Sequence, residues 1–172
     1  GRTCYVVVYQ APAAVWGAYR RGIYPHAPTS ILREMRVRLG AYGDPAALPL
    51  PLLESIVDHA SGHTAYTHQW RQGFALQHVA MASTETASDV ADARAMGYRV
   101  FHVASGEPHP SGLQLCPASE DAGKRTDCAT CLQCCGADGR RSPGLYIPLH
   151  GNSAVRGNAK QLRKRLGLPV LG

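Results

Sequence analysis

VAMASTETASDVADARAMGYRVFHVA, residues 79–104, is the stretch on which the fold turns. Its first five residues form a short apolar run that reads as a buried strand over 79–83, and YRVFHVA at 98–104 reads as another. Between them, Thr86 or Ser88 can cap a helix over 88–96, and Gly97 stands where a helix C-cap belongs. Strand, helix and strand in so short a span imply two parallel strands joined by a right-handed crossover.

The same alternation extends both ways. Toward the N-terminus, residues 64–70 (TAYTHQW) and 36–42 (RVRLGAY) read as strands. A helix from Leu50 through Leu53, Ile56 and Val57, with Pro51 in its first turn, lies between them. Before these come a helical stretch over 30–35, a helix over 13–21 led in by Pro12, and a strand over 3–10. Toward the C-terminus, residues 113–116 and 145–149 read as the last strands, with a cysteine-rich insertion over 113–143 and a basic helix within 157–167. The expected architecture is one α/β domain over 1–172, either an incomplete parallel (β/α) barrel, toward which the polar residues at the strand ends tilt the reading, or an open parallel sheet.

Composition sets the frame for function. With 172 residues, 45% of them hydrophobic, the chain suits a single domain with its own core. No run of about 18 apolar residues is present to span a bilayer, and the first residues lack a secretory cleavage pattern, so a cytoplasmic protein without a membrane partner is expected. Lys and Arg number 18 against 12 Asp and Glu, a formal net charge of +6 that favours anionic partners, nucleic acid among them. The chain starts at Gly1 rather than Met, which suggests that residues upstream are missing.

Six cysteines are present, five of them between residues 116 and 135. A disulfide scaffold spreads its cysteines along the chain, whereas clustering of this kind suits a metal. In LCPASEDAGKRTDCATCLQCCG (115–136), Cys128, Cys131 and Cys134 recur with two residues between them, and Cys116 lies upstream. That spacing turns successive thiolates onto a common centre, where sulfur binds zinc at about 2.3 Å. Cys116, Cys128, Cys131 and Cys134 are the expected ligands, with Cys135 as a spare or as a substitute for Cys134. Zn2+ is expected, with a [4Fe–4S] cluster as the alternative, since three cysteines in C-x-x-C-x-x-C with a remote fourth also suit iron–sulfur ligation. The competing reading is a surface loop of free or disulfide-linked thiols. Cys4, far from the others, is a small buried strand residue or a ligand of some upstream set.

Polar residues fall at the ends of the expected strands, the edge at which parallel folds place their active sites. Asp44, His68, Glu85 and His150 are the candidates for acid, base or substrate contacts. Each has a simpler reading: Asp44 as a helix cap, His68 and His150 as core or surface residues. Arg140, Arg141, Arg156, Lys160, Arg163, Lys164 and Arg165 form a basic set able to track phosphates, or else a solvated helix face. No recognition helix or aromatic stacking motif is visible. Phosphate-binding loops of the Walker or dinucleotide type, the nucleophile elbow and the zinc-protease helix are all absent.

The blocks RLGAYGDPAALP, YTHQW, MASTETASDVADARAMGYRVFHV and CPASEDAGKRTDCATCLQCCG, in that order, resemble a group of uncharacterised proteins carried by tailed bacteriophages and plasmids. That group is similar to the incomplete (β/α) barrels of radical S-adenosylmethionine enzymes. The resemblance spans Cys4 to His150 and implies a barrel-like fold and a mobile-element setting in a bacterial cell. Radical chemistry needs three close cysteines near the first strand, and only Cys4 stands there.

Three functions follow from these residues. The first is a metal-binding protein of a mobile element that acts on or with nucleic acid. A small-molecule enzyme working at the strand ends around a structural metal is the second. The third is a protein that binds a host or phage partner, for instance to block a host defence.

Overall fold

Six parallel strands form one open sheet in the computed structural model, which describes residues 9–104, 109–137 and 144–149. They are β1 (Arg36–Leu39), β2 (Gly62–Thr67), β3 (Met81–Thr84), β4 (Val100–Ala104), β5 (Gln114–Leu115) and β6 (Gly144–Pro148). Their order across the sheet is β1-β2-β3-β4-β6-β5. Four helices accompany them: α1 (Ala11–Arg20), α2 (Leu50–His59), α3 (Ala87–Ala95) and the single turn α4 (Cys128–Cys131). Of the two expected architectures the sheet is the open one, with β1 and β5 as its edges among the described residues.

Residues 79–104 fold as expected, and the chemistry of the join explains why. Thr86 caps α3 by accepting the N–H of Asp89 at 3.1 Å, while the Asp89 carboxylate accepts the N–H of Thr86 at 3.1 Å. This reciprocal box satisfies helix donors that would otherwise lack partners. At the other end Tyr98 N–H returns to the carbonyl of Ala93, closing the helix ahead of β4.

Side-chain alternation divides the sheet into two faces. Leu39, Ala65, Ala82 and Val100 point to one face, where Leu53 of α2 and Val90 and Ala93 of α3 complete the main core. Because successive right-handed crossovers step across the sheet in one direction, α2 and α3 cover this same face. On the other face Met81 and Leu145 pack with Tyr66 and Phe101, and the residue that closes over them is Cys134. The covering layer there is the cysteine segment between β5 and β6.

Several boundaries differ from expectation. The strand expected over 64–70 is β2, Gly62–Thr67, so His68 and Gln69 lie beyond its end. Trp70 opens a short 3-10 turn, with its indole N–H donating to Ser83 O at 3.0 Å. The helical stretch over 30–35 is a 3-10 helix, Thr29–Glu34, entered from an extended Pro28. The strand over 36–42 stops at Leu39. The strand expected over 3–10 lies for the most part, and the basic helix wholly, outside the described residues, as do Cys4, His150, Arg140, Arg141, Arg156, Lys160, Arg163, Lys164 and Arg165. Among the described residues no helix is long and apolar enough to cross a membrane.

Candidate metal centre

The cysteine segment is fastened to the sheet by backbone before its thiols come into play. β2 and β3 pair only through Tyr66 with Met81 and Thr67 with Ala82. One residue below that ladder, Ala65 N–H donates to Cys134 O at 2.8 Å. The backbone of Cys134 thus occupies the place of a neighbouring strand. Arg99, buried just ahead of β4, donates from one guanidinium nitrogen to Gln133 O at 2.7 Å and to Gly136 O at 2.8 Å. Ala137 N–H reaches Gln77 O at 2.7 Å. Gly136 sits at φ 85°, where any Cβ would run into the carbonyl of His78, so a side chain there has neither the conformation nor the room.

On this platform Cys116, Cys128, Cys131 and Cys134 line one small cavity, together with Thr64, Leu132 and Leu145. The cavity has free space for about one water-sized occupant. Two local structures aim the sulfurs. Asp127 caps α4 by accepting the N–H of Thr130 at 2.7 Å, and the single turn puts Cys128 and Cys131 three residues apart on one side. Leu132 follows in the left-handed region at φ 51°, which turns the chain toward Gln133 and Cys134. Cys116 leaves β5 with its N–H donating to Tyr146 O at 2.9 Å, and the N–H groups of Ala118 and Ser119 approach its sulfur. Backbone N–H donors around a sulfur favour its thiolate form.

The electrostatics describe four sulfurs that feel one another. Burial pushes the Cys134 thiol up to about 12; the Tyr66 hydroxyl opposes this, and charge on Cys116, Cys128 and Cys131 adds to it. Burial raises the Cys116 thiol as well, with further contributions from Cys128 and Cys131. Tyr66 is raised by burial and by Cys134, while Arg38, 5.5 Å from the centre of its ring, works the other way. None of the five described cysteines forms a disulfide. Cys135 is buried but does not line the cavity. The thiols surround this space without closing on a point: among the described residues no three His, Cys, Asp or Glu side chains stand at ion-gripping geometry. The donor set itself, four sulfurs around a space for one small occupant, suits a soft or borderline cation.

The strand-end candidates form a different constellation. Asp44 and His68 follow the carboxyl ends of the adjacent strands β1 and β2, and they meet. Asp44 Oδ1 accepts from Thr67 Oγ1 at 2.8 Å and from Ala46 N–H at 3.0 Å. Its Oδ2 accepts from His68 N–H at 2.7 Å, with the His68 ring nitrogen 3.7 Å away. Burial acts to raise the Asp44 pKa, but His68, through its ring and its N–H, with Ala46 and Thr67, outweighs burial and holds it at about 2. A carboxylate so engaged caps a turn and ties two loops together, which is the simpler of its two readings. Glu85 follows β3, and its N–H donates to the Asp89 carboxylate at 3.3 Å.

Tyr66, Thr64 and Arg99 were not among the sequence candidates. Alternation along GHTAYT would have placed Gly62, Thr64 and Tyr66 on one face, but nothing in the sequence says that the cysteine segment covers that face. Arg99 carried no signal beyond being a charged residue inside an apolar run. Comparisons with known proteins find no matching family model, no similar curated protein and no similar solved structure.

Proposed function

We propose that this chain is a metal-binding α/β protein in which Cys116, Cys128, Cys131 and Cys134 hold one Zn2+, and that it acts on or with nucleic acid as part of a phage or other mobile element. The observation that carries the metal is that four cysteines, from two separate stretches of chain, line one cavity over the sheet. Thiolates gathered around one cavity repel one another, and a divalent cation turns that repulsion into attraction. The cysteine spacing accepts either metal, and zinc stands ahead of [4Fe–4S] because Cys-x-x-Cys units are its usual format. Its role is structural, because the site lies between the cysteine segment and the sheet face that it covers.

The nucleic-acid part rests on the formal net charge of +6 and on the basic residues from Arg140 to Arg165. The mobile-element setting rests on the resemblance of the sequence blocks alone. An enzyme working at the strand ends has less support, since the Asp44 carboxylate is already engaged by two backbone N–H groups and a hydroxyl.

Elemental analysis and an absorption spectrum of anaerobically purified protein test the metal. Zinc at near one per chain with no visible bands is the expected result. Visible absorption together with iron would replace zinc by a cluster. Absence of both metals, with all thiols titrating freely, would sink the proposal.

A further inference from the structure

No aromatic stacking motif is legible in the sequence, but α1 assembles one in space, a stripe of rings that no described residue covers. Trp16 and Tyr19 are 59% and 62% exposed, and their rings stack at 5.6 Å between centroids with 22° between planes. No residue of the helix is buried. A helix this short is marginal alone in water, and none of its side chains joins the two core clusters of the described residues.

The charge around it is one-sided. Glu34 is the first acidic residue of the chain, so every charged side chain before it is an arginine. Arg20 lies one helical turn beyond Trp16, Arg21 comes next, and exposed Tyr24 follows the helix. Flat rings interleaved with guanidinium groups, without a carboxylate nearby in sequence, match a ligand with aromatic bases on a phosphate backbone.

We infer that α1 and the turn after it, through Trp16, Tyr19, Arg20, Arg21 and Tyr24, form a binding surface for single-stranded nucleic acid. The inference rests on the proposal that the chain works with nucleic acid, and it names the surface and the form of the strand. Ring faces stack on bases only when the bases are unpaired, which selects single strands over duplex. A lipid surface is the competing match, since Val15 and Ile23 are exposed beside the rings, and it is one outcome of the test. A second copy of the chain would set Arg20 and Arg21 near their own symmetry mates.

The chain contains two tryptophans, and Trp70 is 1% exposed, so fluorescence reports Trp16 selectively. Adding a short oligothymidylate to the full chain should quench that emission, and a duplex of equal length should do so less. In an anisotropy assay with labelled oligothymidylate, W16A combined with Y19A should weaken binding by about tenfold or more. R20A combined with R21A should flatten the salt dependence by roughly one to two contacts. Metal content and melting temperature should match those of the parent chain in both variants. If the parent binds single strands and the W16A/Y19A variant binds equally well, the surface is wrong while the nucleic-acid proposal stands. If the parent binds no nucleic acid, both fall. Capture by phosphatidylglycerol vesicles, or dimerisation, lost in the same variant with no effect on oligonucleotide binding, would also overturn the inference.

Discussion

The N–H of Ala65, in the middle of β2, donates to the carbonyl of Cys134 at 2.8 Å, so a residue of the cysteine segment stands in for a strand of the sheet. Whatever fastens that segment therefore also fastens β2. If a metal does so, its binding energy is in part folding energy. A chelator should lower the melting temperature by roughly 10 °C or more, since a loss of a few kcal/mol moves a domain of this size by that much. Amide exchange at Ala65 should accelerate with it. Full removal of metal with neither effect would disprove the coupling.

Serine substitutions separate the ligands from the bystander. C116S, C128S, C131S and C134S should each lower metal affinity strongly, because serine replaces a soft thiolate with a hydroxyl that stays protonated. C135S should retain full metal content, since Cys135 does not line the cavity. Metal analysis after dialysis against a competing chelator reads the difference. Loss of metal in C135S with retention in C134S would exchange the two residues.

Asp44 gives the fold an acid limb. Its folded pKa of about 2 lies below the value of about 3.9 expected in the unfolded chain, so the unfolded state binds the proton more readily. The stabilisation is therefore complete above pH ~4 and is lost as pH falls from ~4 through ~2. Its size is on the order of 1–2 kcal/mol. D44N should remove roughly that much at neutral pH and flatten this part of the pH dependence, as followed by urea unfolding. An unchanged acid limb in D44N would show that other carboxylates account for it.

The parts of the fold that depend on local chemistry were legible in the sequence. Thr86 and Gly97 mark the ends of α3, and apolar runs marked every strand from β1 to β6, because caps and alternation act over a few residues; the Asp89 half of the capping box was not read. The open sheet was one of two outcomes that alternation allowed. Closure depends on stagger and on strands at both ends, and no short segment encodes it. At the candidate site, the spacing of Cys128 and Cys131 could be read directly, since the single turn α4 sets them on one side, whereas Cys134 lies past the left-handed Leu132. The choice of Cys134 over Cys135 could not, because it depends on Ala65 and Arg99, residues remote in sequence. His68 was misplaced for a related reason: YTHQW alternates like a strand, but Asp44 takes the His68 N–H at 2.7 Å and the chain turns there.

The last prediction concerns the basic residues near the C-terminus. Arg140, Arg141, Arg156, Lys160, Arg163, Lys164 and Arg165 carry seven of the chain's 18 basic side chains. If they neutralise phosphates, binding releases condensed counterions, and the logarithm of affinity falls linearly with the logarithm of salt. Each contact contributes about −0.7 to that slope on single strands and about −0.9 on duplex DNA. Replacing Arg163, Lys164 and Arg165 together by alanine should thus reduce the slope by about 2 to 3 and weaken all sequences alike, because phosphate contacts carry no sequence information. Metal content should stay the same, since these residues are far in sequence from the four cysteines. Titrations of labelled oligonucleotides from about 50 to 200 mM salt, over which such contacts lose most of their strength, supply the measurement. A slope unchanged in the triple variant would remove this segment from the interface, and a slope near zero in the parent chain would mean that charge does not drive the binding.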